Sequence, residues 1–285
     1  AGSVGGRMER RNPRTARLRA LPPQCLMNAT ELDSCKNFIA ELAAASAELI
    51  LPYFASPDLV VDEKSDRTPV TAADRGAEKL MREMILRRFP NHGILGEEFG
   101  ELNPGASFKW VLDPVDGTKS FAANNAQFGT LICLLYEGKP LAGAINLPAT
   151  RQLLLGDGET TTLNGRIIRL REPGPLSRAI VVTTDTDDSE TLHNPAGWAA
   201  LKKKVRKIYT WGDCYGYYLV ATGGVQAACD AVMNAWDILP LIPVLRGAGV
   251  KVTGWDGGEA ETASSCVAAH PVLHGEIISI LNHGA

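Results

Sequence analysis

The chain of 285 residues has no CxxC pair, no apolar run near the roughly 18 residues that span a bilayer, and no large excess of one charge. Its six cysteines, at 25, 35, 133, 214, 229 and 266, are scattered. That pattern argues against a thiolate zinc site and for reduced, buried thiols of an intracellular protein. Twenty-nine basic residues against 32 acidic ones leave a net charge of −3 and no global basic field, so a nucleic-acid polymer is not an expected partner. The basic run Lys202–Lys207 reads as a solvated helix end. None of the histidines at 92, 193, 270, 274 and 283 stands in a metal-ligand setting, and His270 and His274 read as helix-surface positions. Neither a repeat nor a low-complexity linker divides the chain, whose length suits one large domain or two intimately packed halves. The expectation is a soluble, cytoplasmic protein with no membrane contact.

Residues 1–8 read as a tag remnant, and the Arg-rich stretch from Met8 to Pro23 leaves plastid or mitochondrial targeting open. Residues 1–28 are therefore set apart, and 29–285 are expected to form a single domain. Apolar residues at helical spacing predict helices over 30–51, ended by Pro52, and from Thr71–Asp74 to Pro90. Short strands are predicted at 93–96, 108–113, 128–136, 141–147, 151–155, 166–170 and 179–184. Helical patterning returns at 195–203 and 214–224; then come a strand at 226–233, a helix at 237–248, a strand at 249–254 and a helix at 271–282. Layered helices and sheets without a flexible joint follow from that order.

Trp110-Val-Leu-Asp113-Pro-Val-Asp116-Gly-Thr118 ends an apolar run on two carboxylates, then turns through a glycine into a hydroxyl residue. Side chains alternate along a strand, so Asp113 and Asp116 share a face only if the chain turns between them, and Pro114 is expected to stop the ladder there. The turn would expose the Val115 carbonyl as a further hard oxygen ligand, and Gly117 would let backbone approach an anion closely. Three more acidic elements sit where apolar segments meet turns: Thr71-Ala-Ala-Asp74, Gly96-Glu97-Glu98 and Ala235-Trp-Asp237. Each alone has a plainer account. Asp-Pro and Asp-Gly are common turn dipeptides, Thr71–Asp74 spells a capping box, Glu97 and Glu98 suit solvent, and Asp237 suits an N-cap. Capping and chance explain the set poorly, whereas acids gathered around a divalent cation explain it directly.

In this order and spacing the four elements resemble the inositol monophosphatase superfamily, over about residues 30–282. The resemblance implies an α+β fold layered αβαβα and a lithium-sensitive phosphomonoesterase that uses two or three Mg²⁺ ions. It implies that Glu97, Asp113 and the Val115 carbonyl hold a first metal, and Asp113, Asp116 and Asp237 a second. Asp74 and Thr118 would orient and deprotonate the attacking water, with Glu97 also counted as catalytic, and the Gly117 and Thr118 amides would cradle phosphate. Trp211-Gly-Asp213-Cys214-Tyr215-Gly-Tyr217 is similar to the histidinol-phosphate phosphatase branch. Asp213, Cys214 and Asp230 would then line the alcohol side, although Tyr215 and Tyr217 also suit a core and Asp213 a cap. Lys64 resembles a basic residue that approaches phosphate, and also suits a solvated loop. The implied substrate is L-histidinol phosphate, with inositol 1-phosphate or a 3′(2′),5′-bisphosphate nucleotide as alternatives and a non-catalytic relative as the remote one. Residues 29–184 would supply metal and phosphate contacts, residues 185–285 specificity, and the assembly would be a homodimer. Ala122–Gln127, Asn146–Leu153 and Asp185–Asp188 depart from that branch and bear on specificity, not on the metal chemistry.

Overall fold

A computed structural model describes Gly2 and residues 28–57, 60–63 and 69–283 of the protein. The Arg-rich stretch, Cys25 and Lys64 lie outside the described residues. Asn28 opens helix α1 (Ala29–Ile50) with a capping box: its Oδ1 accepts from the Glu31 amide at 3.0 Å, and the Glu31 carboxylate accepts from the Asn28 amide at 2.9 Å. A short antiparallel ribbon, β1 (Val61–Glu63) and β2 (Pro69–Thr71), leads into α2 (Ala72–Arg88). Phe38, Ile39 and Leu42 of α1 and Met81 and Ile85 of α2 form the buried stripes that helical periodicity predicts.

The larger sheet holds β3 (Gly93–Gly96), β4 (Gly100–Leu102) and β5 (Phe108–Asp116), followed by a short helix α3 (Thr118–Ala122). It continues with β6 (Gly129–Tyr136), β7 (Lys139–Leu147), β8 (Gln152–Gly156), β9 (Thr161–Leu163) and β10 (Arg166–Ile167). Its order is β10-β9-β8-β7-β6-β5-β3-β4, and only β3–β5 is parallel. The second half contributes β11 (Ile180–Val182), α4 (Thr186–Thr191), α5 (Pro195–Lys204), β12 (Lys207–Tyr209) and α6 (Asp213–Ala221). It ends with β13 (Ala227–Asp230), α7 (Ala235–Ala248), β14 (Lys251–Thr253), β15 (Cys266–Ala269) and α8 (Pro271–His283). The smaller sheet runs β12-β11-β13-β15-β14, with β11 parallel to both of its neighbours.

Alternation along the strands builds the layers. Trp110, Leu112, Ile132 and Leu134 face α1 and α2, while Val111, Leu131, Cys133 and Leu135 face α6 and α7. In the smaller sheet Ala228, Cys266 and Ala268 join that same central core, and Ala227, Cys229 and Val267 pack on Trp198 of α5 and Ile277 of α8. The result is the αβαβα layering.

Several boundaries differ from the sequence expectation. The strand predicted at 166–170 shrinks to two residues, and the one predicted at 226–233 stops at Asp230. The ribbon β1–β2 and strands β4, β9, β12 and β15 are too short to show a periodicity. Helix α4 lies in a polar stretch that reads as loop; Asp185 caps it by accepting from the Asp187 and Asp188 amides. His274 is not a surface position: it is 2% exposed, and its Nε2 lies 3.0 Å from Thr253 Oγ1.

Helix α7 rests unusually close on the larger sheet. A Cβ at Gly143 would lie 2.5 Å from the Pro240 carbonyl oxygen, and one at Gly156 would lie 2.6 Å from Val244 Cα. Both obstacles are backbone, which does not yield like a side chain. Gly143→Ala and Gly156→Ala are each expected to lower stability by about 1–3 kcal/mol, read by denaturant titration. Unchanged midpoints would show that α7 is free to move off the sheet.

Candidate active site

Strand pairing continues to Asp116, so Pro114 does not stop the ladder as expected. The parity conflict is absorbed by a β-bulge instead: Asp113 pairs with Leu131 and Asp116 with Gly129, so three steps on β5 answer two on β6. The inserted residue brings both carboxylates to one face. Proline is tolerated at a bulge because it has no ladder donor to lose, and the Pro114 carbonyl accepts from Thr130 Oγ1 at 2.9 Å.

Asp237 is the third residue of α7, two places inside the helix start expected for it. Its Oδ2 accepts from the Asn234 amide at 2.7 Å and closes a capping box. Asp74 holds the same position in α2: Oδ2 accepts from Thr71 N at 2.8 Å and Thr71 Oγ1 at 2.5 Å. The capping-box account of Asp74 is therefore right, whereas Asp237 is not the N-cap expected: Asn234 holds that place and Asp237 supplies the acid of the box; each acid retains a second oxygen. Asp74 Oδ1 lies 3.3 Å from Thr118 Oγ1, which also lies 2.9 Å from the Val115 carbonyl oxygen. One hydroxyl proton serves only one of those acceptors at a time.

Asp113, Asp116 and Asp237 offer ligand oxygens within 4.8 Å of one another. Glu97, outside that tight trio, is tied to β5 by its amide, 3.2 Å from the Leu112 carbonyl oxygen. Burial pushes the Asp113 carboxyl well above the usual range, and the charges of Glu97, Asp116 and Asp237 push it further. Asp116 is raised by burial and then by Asp213 and Asp237. Asp237 is raised by burial, and by Glu97, to about 6. Asp74 is raised chiefly by burial, against its hydrogen bonds from Thr71.

Asp113 is 2% exposed, and its Oδ1 has no hydrogen-bond donor. A buried carboxylate oxygen without a donor, amid like charges and hard oxygen neighbours, is what a divalent cation requires of its ligand. The residues present fit such an ion.

Gly117 adopts φ +85°, and a Cβ there would come within 2.9 Å of the Gln127 carbonyl oxygen. Beside it opens a cavity of about 70 Å³, walled by Asp116, Asp213, Asp230 and Asp237 and by the apolar Leu131 and Met233. Cys214 donates its amide to Asp116 Oδ2, and its own Sγ is buried. Asp213 sits at φ +49°, held by its amide 2.7 Å from Thr184 Oγ1; burial, then Asp230 and Asp237, raise it to about 7. Asp230 accepts from Thr184 N at 2.6 Å, Thr183 Oγ1 at 3.2 Å and Tyr217 OH at 2.7 Å. Tyr217 is thus both core and wall. Sequence reasoning missed Thr184 and Met233. Thr184 had a topological signal: it follows β11, from which parallel neighbours run on both sides, the switch point where open sheets bind ligands.

The sequence profile of the inositol monophosphatase family matches residues 31–284. The chain belongs to that family. As a member it is a phosphoric monoester hydrolase. A chloroplastic bifunctional phosphatase, IMPL2, of Arabidopsis thaliana is 39% identical over 251 residues, covering 85% of this chain and 71% of that protein. A histidinol-phosphatase of Chlorobaculum parvum is 34% identical, over 86% of this chain and 95% of its own. Among solved structures, an inositol monophosphatase from Zymomonas mobilis has a TM-score of 0.77 at 32% identity, over 87% of this chain and 98% of that one. No helix among the described residues is long and apolar enough to cross a membrane.

A carboxylate whose pKa folding raises binds its proton more tightly in the native state. Without a cation, the native phosphatase therefore gains stability as pH falls and loses it as pH rises through about 6 for Asp237 and about 7 for Asp213. His274, lowered by burial to about 4, acts in the opposite sense below its ordinary 6.5. His92, also lowered by burial, acts in that same opposite sense, and both contributions fade above 6.5, so that up to about pH 8 the slope comes to be set by the acids, Asp213 among them. In chelator, the unfolding temperature is expected to fall as pH is raised across that window, and Mg²⁺ is expected to flatten that slope, as read by calorimetry. A chelated slope of the opposite sign would contradict mutual repulsion in the site.

Proposed function

We propose that the enzyme is a Mg²⁺-dependent phosphomonoesterase acting on L-histidinol phosphate. The observation that carries this reading is the acidic wall of the cavity: Asp213 and Asp230 stand beside the metal-ligand candidates Asp116 and Asp237. A substrate whose alcohol carries an ammonium group complements that wall, whereas a second phosphate would face it unpaired. The names of relatives from Chlorobaculum parvum, Mycobacterium tuberculosis and Streptomyces coelicolor, all histidinol-phosphatases at 30–34% identity, support the same choice. Inositol 1-phosphate is the second reading, favoured by the inositol-1-monophosphatase of a Synechocystis strain at 30% identity. In the proposed arrangement residues 29–184 supply phosphate and most metal contacts, and residues 185–285 the alcohol side plus Asp237.

Glu97, Asp113, Asp116, Asp237 and the Val115 carbonyl would hold divalent cations, which when bound would supply Lewis-acid chemistry to a water and to the ester oxygens. Thr118 Oγ1, between Val115 O and Asp74 Oδ1, orients that water and passes its proton to Asp74. The raised pKa of Asp74 makes it a better base than an exposed carboxylate. The Gly117 and Thr118 amides face the phosphate, and Asp213, Cys214 and Asp230 shape the alcohol side. Water attacks phosphorus in line, the P–O bond to the alcohol breaks, and no phosphoenzyme forms.

Asp113→Asn is expected to lower kcat about 100-fold or more. The unfolding temperature should not fall, because one of the repelling charges is removed. Phosphate release and thermal unfolding test this, and an active variant would remove Asp113 from the metal site. A phosphate-release panel with Mg²⁺ decides the substrate, comparing histidinol phosphate, inositol 1-phosphate and adenosine 3′,5′-bisphosphate. In that panel Asp213→Ala should reduce kcat/KM for histidinol phosphate more than for an aryl phosphate. Equal losses would take Asp213 out of specificity.

A further inference from the structure

Glu78 lies one turn beyond Asp74 on α2, is 0% exposed, and has no part in the chemistry above. A buried carboxylate is costly unless it is held by several charge-assisted bonds, and Glu78 is held by three. Its Oε2 accepts from the Glu98 amide at 2.7 Å; its Oε1 accepts from the Phe99 amide at 3.2 Å and from Arg82 Nε at 2.7 Å. Arg82 donates in turn to the Gly100 carbonyl. On the other side of Glu97, a Cβ at Gly96 would lie 2.0 Å from Glu78 Oε1, so the carboxylate occupies the space that any other residue at 96 would fill.

The turn from β3 to β4 is thus wrapped around one anion. Gly96 and Gly100 pair directly across it. Glu97 lies between the glycine that admits the carboxylate and the two amides that bind it. Its own amide is already tied to Leu112 of β5, two residues from Pro114. The backbone on both sides of Glu97 is therefore fixed from two directions, by β5 and by α2. A hairpin turn needs no buried charge to close. The expense makes sense if it sets where the Glu97 side chain points.

We propose that Glu78 is a positioning residue of the cation site: by holding the amides of Glu98 and Phe99 it presents the Glu97 carboxylate toward Asp113 and Asp237. This rests on the reading of Glu97 as a metal ligand given above. Outer partners that hold a ligand in place are worth about 10–100-fold in metal affinity.

The test titrates the full-length, metal-free protein with Mn²⁺, following loss of the free-ion electron paramagnetic resonance signal. It compares the wild type with Glu97→Gln, Glu78→Gln and Glu78→Asp. Glu78→Asp keeps the charge but draws the carboxylate away from the two amides. Both Glu78 variants are expected to keep their near-ultraviolet circular dichroism and to weaken Mn²⁺ binding about 10-fold or more, as Glu97→Gln does. Unchanged binding in Glu97→Gln would sink the ligand reading, and this proposal with it. Weakened binding in Glu97→Gln alone would sink only the proposal. Weakening in Glu78→Gln but not in Glu78→Asp would make the effect one of charge, and loss of the folded spectrum in both would make Glu78 a folding requirement. Either outcome overturns the positioning role.

Discussion

Mutual repulsion of buried and half-buried acids is the constraint around which this molecule is arranged. Asp113, Asp116 and Asp237 approach within 4.8 Å, with Glu97 acting on two of them and Asp213 on Asp116. No stability argument favours such a group for its own sake, since unpaired charges in a low dielectric are the least tolerated feature of an interior. The fold holds the acids together by committing their backbones elsewhere. Asp113 and Asp116 are locked in a sheet core, Asp237 in the first turn of a buried helix, and Glu97 against β5. The scaffold supplies the free energy that the site lacks until a cation arrives.

Two of the site acids carry a structural duty alongside the chemical one. Asp74 and Asp237 each close a capping box with one oxygen and turn the other toward the site. The cap fixes the rotamer, so little side-chain entropy is left to lose when the second oxygen is used. Asp213 shows the opposite arrangement. It has no capping bond and takes a left-handed conformation at the start of α6, a strained state retained beside the acidic cavity.

Much of this was legible in the sequence, and the rest was hidden for definable reasons. Apolar spacing located α1, α2, α7 and α8 to within two residues, because a buried helical stripe leaves an unmistakable period. The four acidic elements were visible as acids at the ends of apolar runs. The bulge between Asp113 and Asp116 was not: proline and glycine announce a break in the ladder, and only the pairing partner decides whether it becomes a turn or a bulge. Strand β15 was missed because Cys266-Val-Ala-Ala269 is short, small and buried on both faces, and so shows no alternation. Glu78 was invisible because a lone acid in an amphipathic helix reads as solvent-facing. Its partners are backbone amides twenty residues downstream, and amides have no identity in a sequence.

The positions of the acids also bear on how the two sheets act together. Asp113 and Asp116 belong to the larger sheet, Asp213 and Asp237 to the helices α6 and α7 between the sheets, and Asp230 to the smaller sheet. A cation held by Asp116 and Asp237 would therefore join the larger sheet to the central helix layer, across the seam already closed by Gly143 against Pro240. Movement of α7 off the sheet would separate these carboxylates, and without a cation their mutual repulsion favours that movement. Metal binding at these acids would in consequence be coupled to interlayer packing: whatever tightened one would tighten the other.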